Sequence, residues 1–393
     1  MAIEELSRAC ANLRDAGLDF ALLSSHENVA YVSGFDVPVP LGAPTDFSGG
    51  YPLALALVNA REESGALLVA DSYGGLATPQ NRLGAIKQYP IFDTFKAVDP
   101  LASFVGCVRD ALRAAGVAPG TRTKIGIELE TLPAALVRLL SEEFKKAAVV
   151  SCRPSMDAAR RRKTKREIDL LRNAAHIADA GQRELVHAAQ HFTAATELEV
   201  WAALGTRVQE AAQKNSLVPL VGELVTGPRT CEVRYPGGPQ QRRISAGDTG
   251  ILDISVRVDG YWSDCCNVVV FGREPSAEQK RYFKGARDGF EAAVGALRPG
   301  ARCCDVDAAV RDAFAKNGFG VTHYSGHQIG ATVNENPRVV PFETSLVEAG
   351  MVFCFEPGVY AGPGGSTGAR LERMVAVTET GNEILNQFPW GMA

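Results

Sequence analysis

The stretch ILDISVRVDGYWSD at 251–264 constrains this chain more than any other. It reads as two strands joined by a tight turn, because Asp259-Gly260 between apolar-rich runs is a strong two-residue hairpin signal. That turn sets Ser255 opposite Asp264 and Asp253 opposite Cys266. Side chains alternate along a strand, so Asp253 and Ser255 share a face. Asp253 and Asp264 then become diagonal neighbours, with backbones roughly 7–8 Å apart. Carboxylates so placed repel each other unless a cation sits between them, and divalent ions suit carboxylates. The plainer alternative is a hairpin whose acids face solvent.

A chain of 393 residues exceeds the size at which one hydrophobic core usually splits, so two domains are expected. Apolar residues make up 46% and charged residues 22%, as in soluble globular enzymes. The net charge of −4 leaves no basic footprint, which argues against a nucleic-acid partner. No apolar run approaches the roughly 18–20 residues of a membrane span. The opening MAIEELSRACANL is acidic and amphipathic, with no signal-peptide core. The cysteines number nine, include the adjacent pairs Cys265–Cys266 and Cys303–Cys304, and form no CxxC. That pattern argues against a disulfide framework or zinc ribbon and for a reducing cytoplasm.

The first part of the chain alternates strand and helix patterns. Residues 3–16 space their apolar side chains like a helix, closed by Gly17. DFALLSS (19–25) reads as a strand, followed by NVAYVSGF (28–35). The Pro- and Gly-rich segment 36–51 reads as a loop. PLALALVN (52–59), ALLVADS (66–72) and KIGIELE (124–130) have strand length, and Thr131 and Pro133 open a helix to about Lys146. A mixed α/β domain is expected over 1–158. The basic run from Arg160 to Arg166 reads as a solvated helix entry rather than a nucleic-acid patch. Helices are expected at about 167–190, 196–214, 277–297 and 305–317. Antiparallel-looking strands fall at 218–226, 250–256, 262–271, 351–360 and 370–378, so 159–393 is expected to be an α+β domain.

This second part carries the polar residues of interest. Gly326 before His327, in HYSGHQIG (323–330), lets backbone come close to a site. Glu356 sits in the otherwise apolar FCFEPGVY (353–360), and Glu372 sits in another apolar strand between Arg370 and Arg373. A carboxylate in an apolar strand is costly to bury unless it is paired or metal-bound. One such residue is more often a salt bridge than a ligand. Both together, with the aspartate pair and a Gly-flanked histidine, favour a metal centre.

In order and spacing, Asp253, Asp264, His327, Glu356 and Glu372 resemble the ligands of the pita-bread metallopeptidase family, in its aminopeptidase P, prolidase and creatinase branch. GD at 247–248, GYWSD, HxxGHxIG, the EPGVY strand and R-x-E match the family's local motifs. NVAYVSGF, the IGIE strand and KTKREIDLLRNAAHIA are similar to the same branch, so the resemblance spans essentially the whole chain. It implies a pita-bread catalytic domain, a curved antiparallel sheet with helices, over 159–393. A smaller creatinase-type α/β domain would precede it over 1–158. It also implies two divalent ions held by these side chains, manganese first, with cobalt, zinc or iron as alternatives. Such a pair, roughly 3.5–4 Å apart, lowers the pKa of a water and polarises a carbonyl-like group. The family residue matching Glu356 shuttles a proton from attacking water to leaving nitrogen. A homodimer is implied as well, with the loop at 36–51, including Phe47 and Tyr51, as a lid over the partner's site.

The departures from the family pattern concern the substrate. Aminopeptidase P and prolidase carry a histidine where this chain has Arg234, and another seven residues after the metal histidine, where it has Asn334. His323 is retained as a catalytic candidate, against a plain reading as a packed histidine bonded to backbone. Arg234 offers a planar, bidentate donor for a carboxylate, against a plain pairing with Glu232. Arg234, Asn334 and Arg370 are the candidate substrate contacts. His187 and His191 share a helix face but have no third ligand nearby in sequence, and read as surface residues. Cys265 should point away from Asp264, whereas Cys354 should share a face with Glu356 as a small buried filler. AGPGGSTG (361–368) lacks the lysine of a phosphate loop and reads as a hairpin connection.

The expected function is metal-dependent hydrolysis of a C–N bond in a small, carboxylate-bearing molecule, with no nucleic-acid or membrane partner. The alternative is an Xaa-Pro dipeptidase or aminopeptidase acting on peptides. A metal-poor binding module and a lyase are further uses of the same scaffold. The set of costly polar side chains argues against the binding module.

Overall fold

Asp259 and Gly260 both take left-handed backbone, at φ 50° and 86°, which is the hairpin turn expected there. The structure is a computed structural model and describes residues 3–37, 54–213, 218–233 and 237–392. Arg234, Phe47, Tyr51 and most of the 36–51 loop lie outside the described residues. The chain divides into two compact units, Met1–Arg161 and Arg162–Ala393.

The first unit runs α1 (Glu4–Asp15), β1 (Phe20–Leu23), α2 (His26–Ser33), β2 (Ala54–Asn59), β3 (Ser64–Ala70), α3 (Gly74–Gln80) and β4 (Gly84–Tyr89). It continues with α4 (Pro100–Ala114), β5 (Lys124–Ile127), α5 (Ala134–Glu143), β6 (Ala148–Ser151) and α6 (Arg153–Arg161). Its mixed sheet has the order β4-β3-β2-β1-β5-β6. β1 and β2 are apolar on both faces, as strands covered twice must be. Ala21 and Leu23 pack with Leu6, Tyr31 and Met156, while Leu22 and Leu57 pack with Phe104 and Leu136. NVAYVSGF falls mostly in α2, which Ser25 caps by accepting from Asn28 N–H and Gly34 ends in the left-handed region. The glutamate of IGIE, Glu128, is buried and accepts from the Ser24 and Ser25 amides, holding the β1–α2 turn.

The second unit opens with α7 (Lys165–Gln190) and α8 (Glu197–Ala212), followed by β7 (Leu220–Thr226), β8 (Thr249–Val258), β9 (Tyr261–Trp262) and β10 (Cys265–Val270). Then come α9 (Ala277–Ala296), α10 (Cys303–Lys316), β11 (Gly326–Gln328), β12 (Glu335–Val339) and β13 (Val352–Phe355). β14 (Gly358–Tyr360), β15 (Gly368–Arg370), β16 (Arg373–Val377) and β17 (Asn382–Ile384) complete it. Its strand pairs are antiparallel, with sheets ordered β10-β8-β7 and β12-β11-β13-β16-β17. Cys266 and Glu372 bridge the sheets, each backbone N–H donating to the other's carbonyl at 3.2 and 3.0 Å. α7 and α8 pack Leu185 and Leu204 with Leu252, while α9 and α10 pack Phe290 and Phe314 with Phe353. Among the described residues no helix is long and apolar enough to cross a membrane.

Three details differ from the sequence reading. The strand expected at 351–360 breaks at Glu356-Pro357, where proline has no N–H to donate, into β13 and β14. The strand expected at 370–378 likewise divides around Glu372, so both glutamates sit at strand ends rather than inside strands. The basic run is not wholly solvated, because Arg160 and Lys163 are buried. Arg160 donates to Asn28 Oδ1 at 2.6 Å, and Lys163 to Gln328 Oε1 and Glu335 Oε2 at 2.8 and 3.0 Å. Each found its acceptor more than a hundred residues away in the chain.

Candidate metal centre

The hairpin register is the expected one, with Cys266 opposite Asp253 and Cys265 opposite Ile254. One step nearer the turn, Ser255 Oγ donates to Asp264 Oδ1 at 3.0 Å. His327 comes from β11 and lies opposite Cys354 of β13. Gly326 is required before it, since a Cβ there would stand 2.1 Å from the Cys354 carbonyl oxygen. His327 Nδ1 bonds the Gln328 carbonyl at 2.8 Å, which leaves Nε2 turned toward the acids. Nε2 lies 3.4 Å from Glu356 Oε1, 3.6 Å from Asp264 Oδ2 and 4.0 Å from Glu372 Oε1.

Ligand atoms of Asp264, His327, Cys354 and Glu372 all fall within 4.8 Å of one another. Glu372 Oε1 is buried and has no hydrogen-bond partner. An orphaned carboxylate oxygen facing an imidazole and further carboxylates is the arrangement that a divalent cation satisfies. Oxygen and imidazole donors of this kind suit manganese, cobalt, zinc and iron alike. Cys354 packs against Leu171 and Met374, and Cys265 faces Gln182 on the other side of its strand, as alternation requires.

Electrostatics support the same fit. Burial, then Asp253 and Glu356, push the Asp264 carboxyl well above its usual range. Burial and Asp264 do the same to Glu372. Burial pushes Glu356 up to about 7, although Arg370 pulls it down. Burial lowers His327 to about 4, so its imidazole is neutral and has a lone pair to give. Without a cation the carboxyls hold protons that a cation must displace. A carboxyl raised on folding contributes stability below its unfolded value, and that contribution is lost as pH rises through the folded value. The melting temperature of chelator-stripped protein should therefore fall as pH rises from the ordinary value of 4.5 toward about 7, the Glu356 value, and level off above it. The increment from added manganese should grow over the same window. Melts with and without chelator across that range check this, and an increment that does not change with pH contradicts it.

Asp253 lies across from Glu223 of β7, and Arg370 donates to both carboxylates. Arg370 is 5% exposed and is the buried counter-ion of this acid pair. It also donates to the Tyr360 hydroxyl at 3.4 Å, which lies 3.3 Å from His323 Nε2. His323 Nδ1 bonds the Tyr324 carbonyl at 2.9 Å, and burial, then Arg370, lower this histidine to about 4. The plain reading of His323 thus describes its Nδ1, while its Nε2 joins the Tyr360–Arg370–Asp253 chain. Asn334 is exposed, with its carbonyl accepting from Thr332 Oγ1 at 3.0 Å, and is not among the clustered ligands. His187 and His191 stack at 4.2 Å on an exposed helix face, with Glu184 3.5 Å from His187 Nδ1.

Tyr324, Arg338 and Glu223 are site residues that the sequence reading missed. The Tyr324 hydroxyl donates to Glu356. The Arg338 guanidinium lies over the Tyr324 ring, 5.4 Å from its centroid, and its charge bears on both Glu356 and His327. Tyr324 stood inside the quoted HYSGHQIG, and Arg338 stands eleven residues after His327 in a polar stretch. Glu223 carried the same signal as Glu356, an acid inside the apolar run LVGELVT.

The Metallopeptidase family M24 model matches residues 169–379, and the Creatinase/Prolidase N-terminal domain model matches residues 6–161. The uncharacterized peptidase YqhT of Bacillus subtilis is 26% identical over 99% of this chain and 98% of its own. The Xaa-Pro dipeptidase of Pyrococcus horikoshii is 24% identical over 94% of this chain and 93% of its own. The X-Pro aminopeptidase structure from Thermotoga maritima matches with a TM-score of 0.78 at 23% identity, covering 98% of each chain. That likeness is one of fold, and the pita-bread expectation with its creatinase-type N-terminal domain is met. A buried cluster of cation-seeking acids on this fold, read together with the family match over both units, places the chain in metallopeptidase family M24, the metal-dependent hydrolases.

Proposed function

We propose that this chain hydrolyses the amide bond of a small, carboxylate-bearing substrate of the Xaa-Pro dipeptide class at a centre of two divalent ions, manganese first. The observation that carries the reading is the orphaned Glu372 Oε1 facing His327, Asp264 and Glu356. Asp253, Asp264, His327, Glu356 and Glu372 would hold the ions. When bound, such ions lower the pKa of a water and polarise the scissile carbonyl. Glu356 takes the proton from attacking water and delivers it to the leaving nitrogen. A buried carboxyl near neutrality, hydrogen-bonded by Tyr324, suits both transfers. His323 orients the Tyr360 hydroxyl beside this centre.

Arg338 supplies the cation for the substrate carboxylate. It is exposed on β12, beside Tyr324, and its fixed guanidinium makes paired hydrogen bonds to a carboxylate. The names of the Pyrococcus and Thermotoga proteins support a proline-containing substrate. The exposed Asn334, at a place where the family resemblance leads one to expect histidine, favours a second reading, a small non-peptide amide. A cytoplasmic homodimer belongs to the same proposal, and the free cysteines support that compartment.

The test compares an Xaa-Pro dipeptide with its C-terminal amide. Hydrogen bonds to a charged group are worth about 1.5–3 kcal/mol, so Arg338→Ala should lose roughly 10–100-fold in kcat/KM on the dipeptide. The neutral amide should lose far less. Equal losses would make Arg338 structural. Wild-type turnover of small non-peptide amides, with none of Xaa-Pro dipeptides, selects the second reading.

A further inference from the structure

Glu223 is a buried carboxylate that the proposed chemistry does not use. It is 4% exposed and lies directly opposite Asp253 in the β7–β8 pair. Like charges directly opposite each other destabilise a sheet. Here the strands are also drawn close. Gly222 sits at φ 142°, and a Cβ there would stand 2.1 Å from the Asp253 carbonyl oxygen. What relieves the repulsion is Arg370, whose Nη2 donates to both Glu223 Oε1 and Asp253 Oδ2. The second Glu223 oxygen accepts from the Gly237 amide at 3.0 Å, so the carboxylate is anchored at both ends.

We propose that Glu223 is a positioning residue that holds Arg370 so that Asp253 can be given up to a cation. The inference rests on the metal centre proposed above. Asp253 faces two positive partners, the guanidinium and the incoming ion. With Glu223 in place, Arg370 keeps a buried carboxylate when Asp253 turns to the ion. Without it, Asp253 is the one carboxylate partner left to Arg370 among the described residues. Arginine and cation then compete for Asp253. Groups that orient a ligand from behind typically contribute 10–100-fold in metal affinity.

Manganese titrated calorimetrically into chelator-stripped protein tests this, with metal-free melts alongside. Glu223→Gln keeps the shape and an acceptor for Gly237 but loses the charge. One of the two binding steps should weaken by roughly 10–100-fold, with the metal-free melt unchanged. Glu223→Asp, which keeps the charge, should recover part of the affinity. Adding Arg370→Gln to Glu223→Gln removes the competitor, and the weakened step should recover. A Glu223→Gln protein that takes up both ions as wild type does overturns this proposal alone. So does a double variant no better than the single one, or a variant whose melt drops while both binding steps stay intact. A wild-type protein that takes up no manganese overturns it together with the metal centre.

Discussion

Glu356→Gln is expected to lower kcat by about 10²–10⁴-fold while leaving KM close to wild type, since that is the usual contribution of a positioned general acid–base. β13 delivers Glu356 to the strand end, its Oε1 lies 3.4 Å from His327 Nε2, and the Tyr324 hydroxyl donates to it. Burial pushes its carboxyl up to about 7, where a group can both accept and release a proton at working pH. Glutamine keeps a carbonyl oxygen among the donors, so substrate and cation still find the site. It cannot carry a proton. Steady-state kinetics on the best substrate give the split between kcat and KM. A fall in kcat below roughly tenfold would remove Glu356 from the proton-transfer role.

Asp264→Ala and Glu372→Ala are each expected to abolish metal retention with the fold intact. Both carboxyls are almost fully buried beside other acids, so neither gains much from its surroundings until a cation is present. Taking one away removes a buried polar group that has no cation to satisfy it in the metal-free protein, which should melt no lower than stripped wild type. The strands that carry them are held by other contacts. Cys266 and Glu372 bridge through backbone atoms, which alanine preserves, and β10 packs Val268 and Val269 into the core. Metal analysis after desalting, with melting curves, checks both halves. A variant that kept two ions and full turnover would remove its residue from the ligand set.

The hairpin was legible because one Asp-Gly turn determines register, and register with alternation places Asp253, Ser255 and Asp264. Glu356 and Glu372 were legible because acids in apolar strands are expensive. The same rule pointed to Glu223, but the partner that explains it, Arg370, lies 147 residues on, and sequence distance hides such pairs. For Arg370, sequence shows its charge but not the two acids it bridges. Arg160 and Lys163 looked solvated for the same reason. β11 and β12 are faint in the sequence because they carry few apolar residues, whereas Asp99 and Pro100 mark the start of α4.

The central claim is that these acids and His327 hold the ions that make the chain a hydrolase. Manganese titrated into chelator-stripped protein, with turnover of an Xaa-Pro dipeptide read at every addition, tests it most directly. The account predicts that turnover is absent at the start, rises with bound metal, and levels off at about two equivalents, as a two-ion site requires. Full turnover in stripped protein, or no uptake of manganese, cobalt, zinc or iron at all, would contradict it.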